Sequence, residues 1–459
     1  MNEAKVKLGQ ELPVTIKRIG INGEGIGYFK KTIVFVKGAL TGEEVVVEVI
    51  KVASNYIVAK LKKIKRKAVD RMVPPCPVYE ACGGCQLQHL TYEAQLVFKK
   101  DLVKQALERY TSFDLSKMKI RDTIGMDEPF RYRNKSQFQV RKDHFNQINT
   151  GLFGAESHDL VPIEDCLVQD ERTMKLNNTV RDLLKKFKVS IYNERKGTGI
   201  VRTIVTRVGV KTNEMQLVLV TNGRDFPNIS ELIKEVCSFH PELVSIVQNI
   251  NTSKTSLIFG EETRLLYGKS HLTEKLNQLV FDLSARAFFQ LNPVQTEKLY
   301  QEVRHAFSFS GNEKLVDAYC GVGTIGLALS NEVAEVRGMD VIPEAISDAK
   351  ENARKNGVDH VHYEVGQAEE LFPKWIKEGY EPDAVVVDPP RTGLDDELLR
   401  TLLRVRPKQL VYVSCNPATL AKDLAVLAKR FRIRYIQPVD MFPMTSHVEC
   451  VVRMQRRNY

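Results

Sequence analysis

Apolar and polar positions change rhythm three times along the chain. Over the first 67 residues, short apolar-polar alternations at 13–19, 33–36, 45–52 and 56–64 are separated by glycine turns, a spacing that predicts strands curling into a small closed barrel. The glycine-rich segment 23–27 reads as a hairpin turn, because no helical periodicity follows it as a phosphate loop would require. Met72-Val73-Pro74-Pro75 reads as a linker. From 92 to 110, Leu96, Leu102, Val103, Ala106 and Leu107 fall on one helical stripe. Residues 131–281 return to strand-like runs, including 135–141, 201–208 and 215–220, which predicts a central mixed or antiparallel sheet. After Lys314 strand and helix alternate: strands are expected at 315–317, 336–340, 362–365, 384–388 and 410–414, and a helix over 343–356 with Pro343 in its first turn. That alternation predicts a mostly parallel, doubly wound α/β sheet whose ligands bind at the carboxyl ends of the strands.

Three units follow: 1–75, 76–285 and 286–459, with the 92–110 helix a candidate to pack back onto the last. A length of 459 residues fits three units at roughly 150 residues each and excludes a single small binding module. Charge changes this picture by its placement. The chain carries a formal +10, and residues 1–75, with fifteen Lys/Arg against seven Asp/Glu, hold +8 of it. Lys60, Lys62, Lys63, Lys65, Arg66 and Lys67 form a basic run at the end of the predicted barrel, suited either to phosphate contact or to a solvated face. The opening residues do not read as a secretory signal, and no apolar stretch approaches the ~18 residues of a spanning helix. A cytoplasmic protein without membrane contact or an evident obligate protein partner is expected. Its eight cysteines are then ligands, nucleophiles or core residues before they are disulfides.

The first chemical signal is Asp317-Ala318-Tyr319-Cys320-Gly321-Val322-Gly323-Thr324-Ile325-Gly326, a glycine turn between an apolar strand and a helix. Gly321 and Gly323 would let the backbone approach a ligand, Gly326 would permit close helix packing, and Asp340 could bind ribose hydroxyls. The turn alone does not separate a nicotinamide cofactor from S-adenosylmethionine. Asp388-Pro389-Pro390-Arg391-Thr392-Gly393 ends the fourth predicted strand, with Asp388 free to bond a base or orient a neighbour, unless the segment is only a rigid turn. The next strand ends at Val413-Ser414-Cys415-Asn416-Pro417, placing a thiol where a helix begins; a helix N-terminus lowers a thiol pKa, so Cys415 is expected to be an activated nucleophile. Glu449, entering a strand, is either a general base or a strand-edge charge. Cys320 is expected to pack.

Cys76, Cys82 and Cys85 have C-x5-C-x2-C spacing, and Cys166 can complete four thiolates. Such a set suits zinc or an iron-sulfur cluster, and the residues alone do not choose. Arg131-Tyr132-Arg133-Asn134-Lys135, with Phe138 and Arg141-Lys142, interleaves aromatics and cations, fitting either an RNA-binding strand or a half-buried strand with a basic face.

Asp388-Pro389-Pro390-Arg391 with Gly393, the segment from Leu410 through Ser414-Cys415-Asn416-Pro417 to Thr419, and the run to His447-Val448-Glu449 together resemble the signatures of RNA uracil-C5 methyltransferases. Met444 departs from that pattern, standing where a polar residue is expected. The resemblance implies S-adenosylmethionine as methyl donor, attack of Cys415 on uracil C6, and removal of the C5 proton by Glu449. It further implies cofactor contacts from Gln290, in Phe288-Phe289-Gln290-Leu291-Asn292-Pro293, and from Tyr319, Asp340 and Asp388, with Gln367 a candidate for the adenine. Read from the residues alone, Gln290 equally suits a cap for the helix that follows. The cysteine spacing resembles the rRNA-modifying branch, which implies a 4Fe-4S cluster on Cys76, Cys82, Cys85 and Cys166, and the first 75 residues resemble a TRAM RNA-binding barrel of OB-like form. The implied substrate is 23S ribosomal RNA, with tRNA the alternative. Radical tRNA methylthiotransferases and non-catalytic RNA-binding proteins are the competing classes; the Gly321 turn and the Cys415 segment argue against the first.

Overall fold

The computed structural model describes residues 6–155 and 157–457. Five strands, β1 (Glu11–Ile19), β2 (Gly25–Phe29), β3 (Thr32–Lys37), β4 (Glu44–Val52) and β5 (Tyr56–Arg66), close a barrel in the order β1-β2-β3-β5-β4. Alternation places Leu12, Val14 and Ile16 of β1 inside with Val34, Val36, Val47 and Ala59. The glycine-rich hairpin extends into β2 because Gly27 lies against Val14 and Thr15, where a Cβ would collide with the Val14 side chain. Ile19 and Leu40 leave the barrel's own core and join the apolar cluster of the C-terminal unit, so the barrel is packed onto the rest of the molecule.

Helix α1 (Tyr92–Tyr110) follows the linker. The central sheet is built from β6 (Lys135–Lys142), β7 (Ile148–Phe153), β8 (Leu160–Pro162), β9 (Val201–Val208), β10 (Met215–Thr221), β11 (Leu243–Ile250) and β12 (Glu262–Gly268), with helices α2 (Glu171–Lys186) and α3 (Ile229–Phe239). Its order is β12-β11-β10-β9-β6-β7-β8, antiparallel except between β10 and β11, hence mixed. A ribbon of β13 (His271–Leu276) and β14 (Leu279–Ser284) leads into the C-terminal unit.

That unit contains α4 (Pro293–Ala306), β15 (Lys314–Ala318), α5 (Thr324–Leu329), β16 (Glu335–Asp340), α6 (Pro343–Lys355), β17 (Val361–Val365), α7 (Ala368–Lys377), β18 (Ala384–Val387), α8 (Asp396–Val405), β19 (Gln409–Ser414), α9 (Pro417–Leu427), β20 (Phe431–Val439) and β21 (Glu449–Arg456). The sheet order is β17-β16-β15-β18-β19-β21-β20, parallel through β19 and antiparallel at β21 and β20. Strands such as Val385-Val386-Val387 and Gln409–Ser414 are buried on both faces, as a parallel sheet covered by helices requires. Helix α1 packs on α9, its Phe98, Leu102 and Val103 sharing a core with Leu420, Leu424 and Leu427. Among the described residues no helix is long and apolar enough to cross a membrane.

Candidate active site

The carboxyl ends of β15, β16, β18 and β19 open into one cavity of about 1330 Å³. At the end of β15 the chain turns sharply: Tyr319 takes φ +67°, Gly321 φ +54° and Gly323 φ +82°. The two glycines differ in purpose. A Cβ at Gly321 would meet nothing within 4 Å, and this residue lines the cavity. Gly323 does not line it; a Cβ there would stand 2.6 Å from the Tyr363 hydroxyl, so its lack of a side chain serves packing. Asp317 Oδ2 accepts the Gly326 N–H at 2.7 Å, while its buried Oδ1 has no partner. Burial, with Asp388 and Asp340 nearby, pushes the Asp317 carboxyl up to about 7. Asp340 accepts from the N–H groups of Gly321 at 3.0 Å and Ile342 at 2.9 Å, which holds its carboxylate on the cavity wall. Gln290, Tyr319 and Gln367 line the same wall. Gln290 is not a helix cap: Asn292 caps α4, its Oδ1 accepting the Gln295 N–H at 3.1 Å.

Across the cavity stand Asp388, Cys415 and Glu449. Cys415 follows β19 directly, and Asn416 caps α9 by accepting the Ala418 N–H at 3.1 Å. The Asn416 side-chain amide also donates to the Arg391 carbonyl at 2.8 Å, tying the thiol segment to the Asp388–Gly393 loop. The expectation of a lowered thiol pKa is corrected here. Burial, followed by the carboxylates of Glu449 and Asp388, pushes Cys415 up to about 11, and Arg391 opposes only part of this. Cys415 precedes the helix cap, so burial, with the two nearby acids, outweighs the helix terminus. Glu449, buried as the first residue of β21, is pushed up to about 8 by burial and by Asp388, and burial pushes Asp388 up to about 7. Thiol and Glu449 therefore both hold protons near neutrality.

Two residues to which the sequence assigned no role also reach this site. Arg391 donates through Nη2 to His447 Nδ1 at 2.8 Å, and both line the cavity. Burial, then the positive charge of Arg391, pushes His447 down to about 4, leaving a neutral ring as acceptor. Cys320 is buried in the core, as its apolar neighbours predict.

A second cavity, of about 160 Å³, is lined by Cys76, Cys82, Cys85 and Cys166, all free thiols. Burial pushes Cys85 up to about 12, with the thiols of Cys166, Cys82 and Cys76 adding to the shift. Four soft donors around one small cavity are the donor set of a thiolate-held metal centre. As they stand, no group of three or more His, Cys, Asp or Glu among the described residues is placed to hold a metal ion. Gly84, Arg133 and Thr445 line both cavities, so the thiol segment forms part of the wall of the larger one.

The basic segments separate clearly. On β5 and just beyond it, Lys62 and Arg66 pair with Glu48 and Glu44, while Lys60, Lys63, Lys65 and Lys67 are exposed and form no ion pair among the described residues. In the Arg131 segment, Tyr132 and Phe138 are buried and Arg131 is bound to Asp165 at 2.6 Å. Those aromatics have no face to offer a base, so the half-buried strand is the correct alternative there.

Residues 247–457 match the family of tRNA (uracil-5-)-methyltransferases, and residues 5–62 match the TRAM domain. An RNA methyltransferase of Listeria innocua serovar 6a is 62% identical over all of both chains. One from Bacillus cereus is 55% identical over 99% of each. Among solved structures, the Pyrococcus abyssi tRNA (uracil-54, C5)-methyltransferase in complex with S-adenosyl-L-homocysteine has a TM-score of 0.76 and 29% identity, covering 96% of this chain and all of that one. With its TRAM barrel and its class I methyltransferase sheet, this chain belongs to the S-adenosylmethionine-dependent RNA methyltransferases of the uracil-5 family.

Proposed function

We propose that the protein methylates C5 of a uridine in 23S ribosomal RNA through a covalent bond between Cys415 and uracil C6. The observation carrying this reading is that Cys415, Glu449 and Asp388 share one cavity with the open Gly321 turn. C5 of uracil is a weak nucleophile. Addition of the Cys415 sulfur to C6, its thiol proton passing to water in the cavity, pushes electron density to C5 as an enolate. Gln290, Tyr319, Gly321, Asp340 and Gln367 would hold S-adenosylmethionine, which would supply the methyl group to C5 and leave as S-adenosyl-L-homocysteine. Glu449, as carboxylate, then removes the C5 proton, and the sulfur leaves to restore the uracil double bond. A carboxyl pushed up to about 8 is a stronger base than an ordinary one once ionised. Asp388 and the Arg391–His447 pair orient the base and close its side of the cavity. The target base must leave its stack to reach Cys415.

Cys76, Cys82, Cys85 and Cys166 would hold a 4Fe-4S cluster, which would stiffen the segment between the two cavities. The free lysines of β5 supply phosphate contacts. Changing Lys60, Lys63 and Lys65 to Ala is expected to lower the salt slope of RNA binding by about 2 and leave methyl-donor affinity unchanged. This set is preferred to deletion of the barrel, because Ile19 and Leu40 belong to the catalytic unit's core.

A tRNA substrate is the second reading, favoured by the Pyrococcus neighbour. Incubation with labelled methyl donor and unmodified 23S rRNA or tRNA tests both. Label at uridine C5 in 23S rRNA is expected; label in tRNA alone would move the substrate, and label in neither would overturn uracil-C5 methylation.

A further inference from the structure

Glu449 enters the cavity from loop 440–448, and that loop is held from behind by helix α1. Lys99 and Asp440 are both fully buried: Lys99 Nζ donates to Asp440 Oδ1 at 2.5 Å and to the Phe442 carbonyl at 3.0 Å. The other Asp440 oxygen accepts the Tyr92 hydroxyl at 3.0 Å. One turn earlier on α1, Gln95 accepts the Met444 N–H through Oε1 at 3.0 Å, while its amide donates to the Leu87 and Leu90 carbonyls. Met444, at φ +67°, accepts through its carbonyl the N–H groups of both Gln86 and Leu87, each at 3.0 Å. Those two residues directly follow Cys85.

The buried face of α1 thus carries an ammonium and an amide where its apolar periodicity would place hydrocarbon. An apolar pair would pack the helix as well, since desolvating two charges cancels much of their attraction. The ion pair and the amide add direction instead: they fix the backbone at Asp440, Phe442 and Met444, and so the path of the chain to Glu449. We propose that Lys99 and Gln95 are positioning residues that hold Glu449 in register with Cys415 and tie it to the cysteine segment through Gln86 and Leu87. The proposal rests on Glu449 being the base.

The test separates formation of the RNA adduct from its release, in the full chain with its metal content intact. Lys99→Met and Gln95→Leu are expected to form adduct but release methylated RNA at least about tenfold more slowly, with KM for RNA and methyl donor within about twofold of wild type. Lys99→Met leaves Asp440 unpaired, so Lys99→Met/Asp440→Asn, which buries neither charge, is measured beside it. The double variant is expected to recover the wild-type melting temperature yet keep the slow release. If it releases product at the wild-type rate, or if KM rises while release is unchanged, the positioning role is overturned. Should the Lys99 variants fail to fold, Gln95→Leu, which unpairs no charge, carries the same expectation and the same refutation. Glu449→Gln is the reference arm. Adduct accumulating there but not in the α1 variants overturns the clamp alone, whereas normal release there removes the base assignment beneath it.

Discussion

Cys415 and Cys85 are both half-buried thiols whose pKa burial pushes up, to about 11 and about 12, yet their neighbours give them different chemistry. Cys85 stands among Cys76, Cys82 and Cys166, where the lining carboxyl of Asp165 is held below its usual range by Arg131 and so is a poor proton acceptor, and a bound cation is what would turn these thiols into thiolates. Cys415 stands beside Glu449 and Asp388, two carboxyls able to exchange protons near neutrality. Burial alone therefore does not tell a nucleophile from a ligand. The identity of the groups sharing the cavity does.

The sharpest way to break this contrast is to exchange one thiol at each site. Cys415→Ala is expected to abolish turnover while RNA and methyl-donor binding persist, and Cys320→Ala, a core change, to retain turnover; activity in Cys415→Ala would move the nucleophile. Next in size, Cys85→Ser is expected to lose bound iron and sulfide from an anaerobic preparation and to melt at lower temperature, while Cys415→Ala keeps both. Iron and sulfide absent from the wild-type protein would reject the cluster.

A smaller effect lies in pH. Glu449 has a folded pKa near 8, above the usual carboxyl value, so its contribution to stability is fully present below about pH 4.5 and is lost as pH rises toward 8. In cluster-free protein the raised thiols of the second cavity lose theirs only in the alkaline range, as pH rises from about 9. Melting temperature of cluster-free protein followed from pH 4.5 to 8 is expected to fall less steeply in Glu449→Gln than in wild type, and to keep its wild-type slope in Cys85→Ser.

Much of this was legible in the residues. The stripe of Leu96, Leu102, Val103, Ala106 and Leu107 gave helix α1 its bounds, and apolar runs between glycine turns gave the parallel strands of the C-terminal unit theirs to within a residue. Tyr319, Asp340, Gln367, Asp388 and Cys415 were legible because each stands at or within two residues of the end of a parallel strand, where a doubly wound sheet gathers its ligand groups, whereas Gln290 was named only through the family resemblance. What stayed hidden depends on distance in sequence. The raised pKa of Cys415 follows from burial and then from Glu449, 34 positions away, and the Lys99–Asp440 pair joins residues 341 apart. Gly323 reads like Gly321 until Tyr363 is seen packed against it, and Phe138 reads as a stacking residue until β6 is seen from its buried face.

The central claim is that the Cys415 sulfur bonds to C6 of the target uracil. Its most direct measurement uses 5-fluorouridine RNA, whose fluorine cannot be removed as a proton by Glu449, so the methylated adduct is trapped. Digestion and mass spectrometry of the trapped complex should place the nucleotide on the peptide containing Cys415. A modified peptide bearing another cysteine, or methylated fluorouridine released without any adduct, would contradict the account.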